Sequence, residues 1–313
     1  MQSKASSSQN SNKFSEEHEC SECGDTGSIL VKETLPVGHQ DNPYQKEITR
    51  DYWRRCSCVE QRSLQNRLQN ALIPDEFKEA RFDNYIKESD VQNTLYNAII
   101  DYLREFKQLL LDKPAANSIG FIATFGEARI RELDPSERYL AKNDHNNFGL
   151  GKTHLQMAAA KWILKNVKIS DELEMNKTLN KRIKKKFMPE RSAVERGCRV
   201  LCISDVEFMD ELMNAKRLND GGEQFNNLKR SVMDADVLVW DDLGKTNYSR
   251  AKEDAYYAII NERYRHKRPI IFSSNEDEGT ITDKIGYAAT SRLLSMCGDR
   301  LYSVEGPDYR LKR

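Results

Sequence analysis

Gly149-Leu150-Gly151-Lys152-Thr153-His154-Leu155 opens a segment that continues as a helix through Gln156-Met157-Ala158-Ala159-Ala160-Lys161-Trp162. Glycines at such a turn let backbone N–H groups curl around phosphate oxygens, and the helix N-terminus adds a favourable dipole. The lysine then reaches the terminal phosphates, and the threonine hydroxyl ligates magnesium. The full pattern G-x-x-x-x-G-K-[ST] fails at its first position, which is Asn146 here. We read the loop as split. A strand over 119–125 ends at Gly126, which would serve as the first glycine, and 127–145 form an excursion before the loop resumes near Phe148.

Val237-Leu238-Val239-Trp240-Asp241-Asp242-Leu243-Gly244 supplies the acids that such a loop requires. An apolar strand ending in two carboxylates suits a Mg-ATP site. Asp241 would hold the magnesium through water, and Asp242 would orient or deprotonate the attacking water. Ile270-Ile271-Phe272-Ser273-Ser274-Asn275 reads as a further buried strand, with an amide at its end that can touch the terminal phosphate or the lytic water. Arg292 in Ser291-Arg292-Leu293-Leu294 and Arg310 in Gly306-Pro307-Asp308-Tyr309-Arg310 are candidates for neutralising transition-state charge, in cis or from a neighbouring subunit.

The rest of the chain fits an α/β core. Strands are expected over 118–125, 199–204, 237–241, 269–274 and 301–304, with helices near 91–111, 153–166, 205–216, 223–233, 251–266 and 290–296. The short apolar runs of three of these strands suit a parallel sheet covered on both faces. Two charged stretches, 127–145 and 167–196, interrupt the rhythm and read as insertions; the second contains the basic run 181–186. Residues 1–19 are too polar to bury a core and read as a disordered tail. We expect a cysteine-rich module over 20–68, a linker over 69–92 that docks Phe77, Phe82 and Tyr85 onto the next domain, and the main domain over 93–313.

Composition excludes several classes. The 313 residues hold 49 Lys+Arg against 49 Asp+Glu, so bulk charge cannot coat nucleic acid, although a local basic channel remains open. No apolar run reaches the roughly 18 residues that a membrane helix needs, and the first residues lack the apolar stretch of a secretory signal. The expected location is the cytoplasm, with no membrane partner.

The order GLGKTHL, VLVWDDLG, IIFSSN, SRLLSMC, GPDYR resembles the DnaC/DnaI-type AAA+ ATPases, the bacterial and phage replicative helicase loaders, over about residues 71–313. The resemblance implies an AAA+ P-loop NTPase core with a five-stranded parallel sheet flanked by helices. It implies ATP and Mg²⁺ as cofactors, with Lys152 and Thr153 as the Walker A pair and Asp241 and Asp242 as the Walker B pair. By the same resemblance Asn275 is sensor 1, Arg292 the trans-acting finger (with Arg300 close by in sequence) and Arg310 sensor 2. Gly126, Gly149, Leu150, Gly151 and His154 complete the expected nucleotide contacts. The implied partners are a hexameric replicative helicase, single-stranded DNA and further copies of the chain.

Four of the seven cysteines form a second constellation. Cys20-Ser21-Glu22-Cys23-Gly24 aims two thiolates at one ion, and Cys56-Ser57-Cys58 provides the second pair. Four sulfurs in a short segment poor in aliphatics suit a closed structural zinc site that replaces a missing core. His18 and His39 are possible substitutes for one cysteine, and a redox CxxC is the alternative. Cys198, Cys202 and Cys297 read as core residues. In some loaders similar to this chain the N-terminal domain that grips the helicase binds zinc.

The basic run 181–186 has no interleaved aromatics and reads as a solvated insertion rather than a phosphate track. Lys216-Arg217 and Lys229-Arg230 add further charge. Two other functions share much of this sequence logic. One is an IstB-type transposition helper ATPase, told apart by its transposase partner. The other is a non-hydrolysing adaptor in which nucleotide is structural.

Overall fold

The computed structural model describes residues 19–37, 46–171, 194–306 and 308. The chain divides into two compact units, Met1–Gln65 and Asn66–Arg313. This division falls within helix α1, Cys58–Gln69.

The first unit is built on an antiparallel ribbon of β1, Ser28–Val37, and β2, Lys46–Arg55. Leu30 lies opposite Trp53 on one face and Val31 opposite Tyr52 on the other. Neither strand alternates apolar with polar residues, so the period-2 signal of a strand is missing from the sequence. A lone two-stranded ribbon is marginal in water and needs another source of stability.

In the second unit five parallel strands form a sheet in the order β6-β7-β8-β3-β9. These are β3, Ile119–Ala123, β6, Val200–Ser204, β7, Val237–Asp241, β8, Ile270–Ser273, and β9, Leu301–Val304. The expected five-stranded parallel sheet is thus present. β3 lies between β8 and β9, and a Cβ on Gly120 would meet the Phe272 ring at 2.4 Å. Glycine at 120 leaves the space that the Phe272 ring occupies.

Helices cover the sheet. α2, Asp90–Asp112, starts at a capping box in which Ser89 and Gln92 satisfy each other's backbone amides. α5, Lys152–Asn166, follows the glycine-rich loop. α6, Asp205–Ala215, and α7, Glu223–Asp234, connect β6 to β7. α8, Arg250–Arg265, is capped by Ser249, whose side chain accepts from the Lys252 amide. α9, Glu278–Ile285, capped by Asp277, was not expected, and α10, Tyr287–Cys297, begins three residues before its expected start at 290. The main core gathers Leu212, Leu238, Trp240, Tyr256, Phe272 and Leu293, all nearly or fully buried.

The first expected insertion is helical. Residues 127–145 hold α3, Glu127–Glu132, and α4, Pro135–Asp144, the latter with proline in its first turn. The second insertion begins and ends in an antiparallel pair, β4, Lys168–Asp171, with β5, Val194–Gly197. The basic run 181–186 lies outside the described residues, as do the tail 1–18, His39 and Arg310. Lys216 and Lys229 both approach the Phe225 ring, at 6.0 and 5.6 Å.

Candidate functional site

The parallel register brings the key side chains to one edge of the sheet. Val239 pairs with Ile271, so Asp241 and Ser273, each two residues further along, sit at the same level. Ser273 Oγ accordingly donates to Asp241 Oδ1 at 2.6 Å. Ligands of open α/β sheets bind at this carboxyl edge.

The loop before α5 faces these strand ends. Gly149 and Gly151 adopt positive φ (64° and 83°), and Gly151 is the N-cap of α5 with no side-chain cap. First-turn amides therefore lack a side-chain acceptor and suit phosphate oxygens. A cavity of about 860 Å³ opens here, lined by 147–154, Asp241, Asp242, Lys245 and Asn275. That volume suits a nucleotide-sized ligand.

Within it the expected residues converge. Lys152, only 6% exposed, donates from Nζ to the Asn147 carbonyl and to Asn275 Oδ1, both at 2.8 Å. Asn275 Nδ2 donates to Asp242 Oδ1 at 2.9 Å. Thr153 Oγ1 donates to Asp241 Oδ1 at 3.0 Å. Burial, and next the charge of Asp242, push the Asp241 carboxyl above its ordinary value, while Ser273, Thr153 and Lys152 pull it down. Such a buried acid beside a threonine hydroxyl fits a magnesium site, whose cation would relieve the cost of burying the charge. Asp242 adopts φ 53°, a left-handed conformation uncommon outside glycine. Its carboxylate also pairs with Lys245.

The split-loop reading needs correction. Gly126 does not line the cavity: its N–H donates to Asp277 Oδ2 at 2.8 Å, and it caps the start of α3. In the position expected of a first glycine, Asn146 folds the loop by donating from Nδ2 to the carbonyls of Phe148 and Gly306, at 2.9 and 2.6 Å. Its side chain supplies the turn that a glycine backbone would otherwise make.

Three contributors were missed. With the buried Gln156 amide assigned to the orientation that satisfies both of its ends, its oxygen accepts from Ser273 N at 2.8 Å and its nitrogen donates to Asp241 Oδ1 at 2.9 Å. Its place on the α5 face towards the sheet, four residues after Lys152, was the available signal. Tyr85 donates its hydroxyl to the Leu150 carbonyl at 2.9 Å, and a Cβ on Gly151 would strike its ring at 2.5 Å. The sequence predicted that linker aromatics dock, but not that one shapes the phosphate loop. Lys245 is the third. His154, expected at the nucleotide, lines the cavity and places Nε2 2.9 Å from the Arg81 carbonyl.

Arg292 and Arg300 do not line this cavity, and Arg310 lies outside the described residues. Arg292 donates to the Ala288 carbonyl and stands over the Tyr257 ring at 5.1 Å. Arg300 donates to the Ala116 carbonyl at 3.5 Å and pairs at the surface with Glu105 at 2.8 Å.

In the first unit the Sγ atoms of Cys20, Cys23, Cys56 and Cys58 lie within 4.8 Å of one another. Cys20 and Cys56 are 3.7 Å apart and Cys23 and Cys58 3.5 Å. A tetrahedral zinc with bonds of about 2.3 Å separates its sulfurs by about 3.8 Å, so the donor set fits that ion. The Gly27 amide donates to Cys23 Sγ at 3.4 Å and Arg62 donates to Cys58 Sγ at 3.0 Å, contacts suited to thiolates. Burial works to raise the Cys23 thiol, but the Gly27 amide and the other three sulfurs outweigh it and bring it down to about 7. Cys198 and Cys297 are buried, and burial pushes both up to about 12; Cys202 is buried as well.

Comparison with known proteins adds a partial match to one family and several likenesses. Residues 189–313 match the family described as IstB-like ATP binding protein. That match includes Asp241, Asp242, Asn275 and Arg292 but begins after the glycine-rich loop. The chain is 23% identical to the phage-like element PBSX protein XkdC of Bacillus subtilis (strain 168), over 94% of this chain and 85% of that protein. Among solved structures it is similar to the DnaC helicase loader (18% identity, TM-score 0.47, 74% of this chain and 100% of that one). It is likewise similar to DnaI (17% identity, TM-score 0.46, 76% of this chain and 94% of that one). Among the described residues no helix is long and apolar enough to cross a membrane.

Proposed function

We propose that the chain is an AAA+ ATPase that binds Mg-ATP at the edge of its sheet and loads a hexameric replicative helicase onto single-stranded DNA. The observation that carries the ATPase part is the linked set Lys152–Asn275–Asp242, beside Thr153–Asp241, in one cavity. Lys152 and the first-turn amides of α5 would bind the phosphates, and Thr153 and Asp241 would hold magnesium. Bound magnesium supplies charge neutralisation on the phosphates. Asn275 would position the attacking water, and Asp242 would accept its proton once its carboxylate is released from Lys245.

The loader part rests on the resemblance of the motif order and on the cysteine module. Zinc at Cys20, Cys23, Cys56 and Cys58 would stabilise the ribbon, on which Trp53 is 69% exposed beside Leu30. Exposed tryptophan on such a ribbon suits a protein contact. In this reading residues 20–68 grip the helicase, 69–92 link, 93–313 form the ATPase, and Arg292 acts on the nucleotide of a neighbouring copy. The site of action is the cytoplasm.

The match of 189–313 to IstB-like ATP binding proteins favours a second reading, a transposition helper. Co-purification with Mg-ATP separates the two. A loader retains the replicative helicase of its host, and Trp53→Ala loses it. Retention of a transposase and not of the helicase would establish the second reading.

A further inference from the structure

Lys245 has no place in the motifs read from the sequence, yet it lines the nucleotide cavity. It is carried by a tight turn after β7, in which its N–H donates to the Asp242 carbonyl at 3.1 Å and Gly244 adopts φ 79°. Its Nζ pairs with Asp242 Oδ2. Asp242 Oδ1 in turn accepts from Asn275, and Asn275 Oδ1 accepts from Lys152. Two ammonium groups therefore end a chain of only two intervening side chains. They are the two Lys or Arg side chains among the described residues that line this cavity.

The two lysines differ in freedom. Lys152 is almost fully buried, whereas the Lys245 side chain is 47% exposed. A half-exposed lysine on a flexible four-carbon stem can exchange partners at small cost. Burial works to lower its pKa, but the bond to Asp242 outweighs it and keeps the ammonium charged.

We infer that Lys245 is a second cation for the terminal phosphate of a nucleoside triphosphate, held on Asp242 until that phosphate arrives. A γ-phosphate bound by Lys152 would carry more charge than a single carboxylate and draw Lys245 across. The transfer frees Asp242 to meet the attacking water, so the triphosphate itself prepares the acid. A diphosphate lacks the group that Lys245 would follow. Lys245 therefore makes the site discriminate between the two nucleotides. This inference rests on the ATPase reading above.

Equilibrium titration of the full chain with Mg²⁺ and fluorescent derivatives of AMP-PNP and ADP tests it. Lys245→Ala weakens AMP-PNP binding on the order of tenfold and leaves ADP binding unchanged, and Lys245→Arg retains the wild-type preference. Equal weakening of both nucleotides, or of neither, in a Lys245→Ala protein with wild-type thermal stability overturns the inference and leaves the ATPase reading intact. A wild-type chain that binds neither nucleotide overturns both.

Discussion

Asn275 accepts a hydrogen bond from Lys152 Nζ at 2.8 Å, so the end of β8 and the start of α5 are joined through the side chains expected to meet the terminal phosphate. Asn275 passes the connection on to Asp242. Replacing it separates the phosphate-binding lysine from the acid without removing either. Asn275→Ala is expected to bind ATP within a fewfold of wild type and to lose turnover by about 100-fold, the scale of losing one well-placed polar group. Steady-state hydrolysis with parallel nucleotide titration measures both quantities.

Gln156 serves the same strands from beneath. Its amide satisfies the Ser273 backbone and the Asp241 carboxylate, and the side chain is wholly buried. Gln156→Leu leaves those partners without it in a dry setting, at a cost of about 1–3 kcal/mol. Chemical denaturation should show the lost stability, and the variant should also bind magnesium nucleotide more weakly.

Asp205 provides a pH signature. Buried beside Trp240, it accepts from the indole N–H, the Tyr256 hydroxyl and the Thr246 amide, yet burial dominates and raises its pKa to about 6. An acid raised above its unfolded value binds its proton more tightly in the folded chain. Its contribution therefore falls as pH rises from about 4 to about 6 and is flat above, by on the order of 3 kcal/mol in all. Comparing the stability of wild type with Asp205→Asn across that range isolates the group. The wild type should lose ground to the variant as pH rises.

The cysteines should separate into two classes. Cys20, Cys23, Cys56 and Cys58 are expected to bind one zinc per chain and to resist alkylation until a chelator is added. Cys198, Cys202 and Cys297, buried in the second unit, should stay unreactive until denaturation. Metal analysis with timed thiol labelling gives both readings, and Cys58→Ser should abolish the bound zinc.

The sequence revealed the α/β core where its pattern is local in the chain. Short apolar runs marked β3, β7 and β8, and the polar residues closing two of them, Asp241, Asp242 and Asn275, meet as expected. What escaped notice depends on tertiary placement. Tyr85 and Lys245 reach the cavity from a linker and a turn with no periodicity to mark them. Gln156 looks like an ordinary helix residue until β7 and β8 are laid against it. Gly126 misled because a glycine at a strand end resembles the start of a phosphate loop, whereas its amide is already taken by Asp277. The β1–β2 ribbon was hidden because its strands lack the alternation that marks a half-buried strand.

The most direct measurement is Mg-ATP hydrolysis by the full-length chain beside its Asp242→Asn variant, with nucleotide binding followed in the same samples. The account predicts that both proteins bind ATP and that only the wild type turns it over, with the variant reduced at least about 100-fold. A wild-type chain that binds no ATP, or an Asp242→Asn protein that hydrolyses it at the wild-type rate, would contradict the assignment of this site.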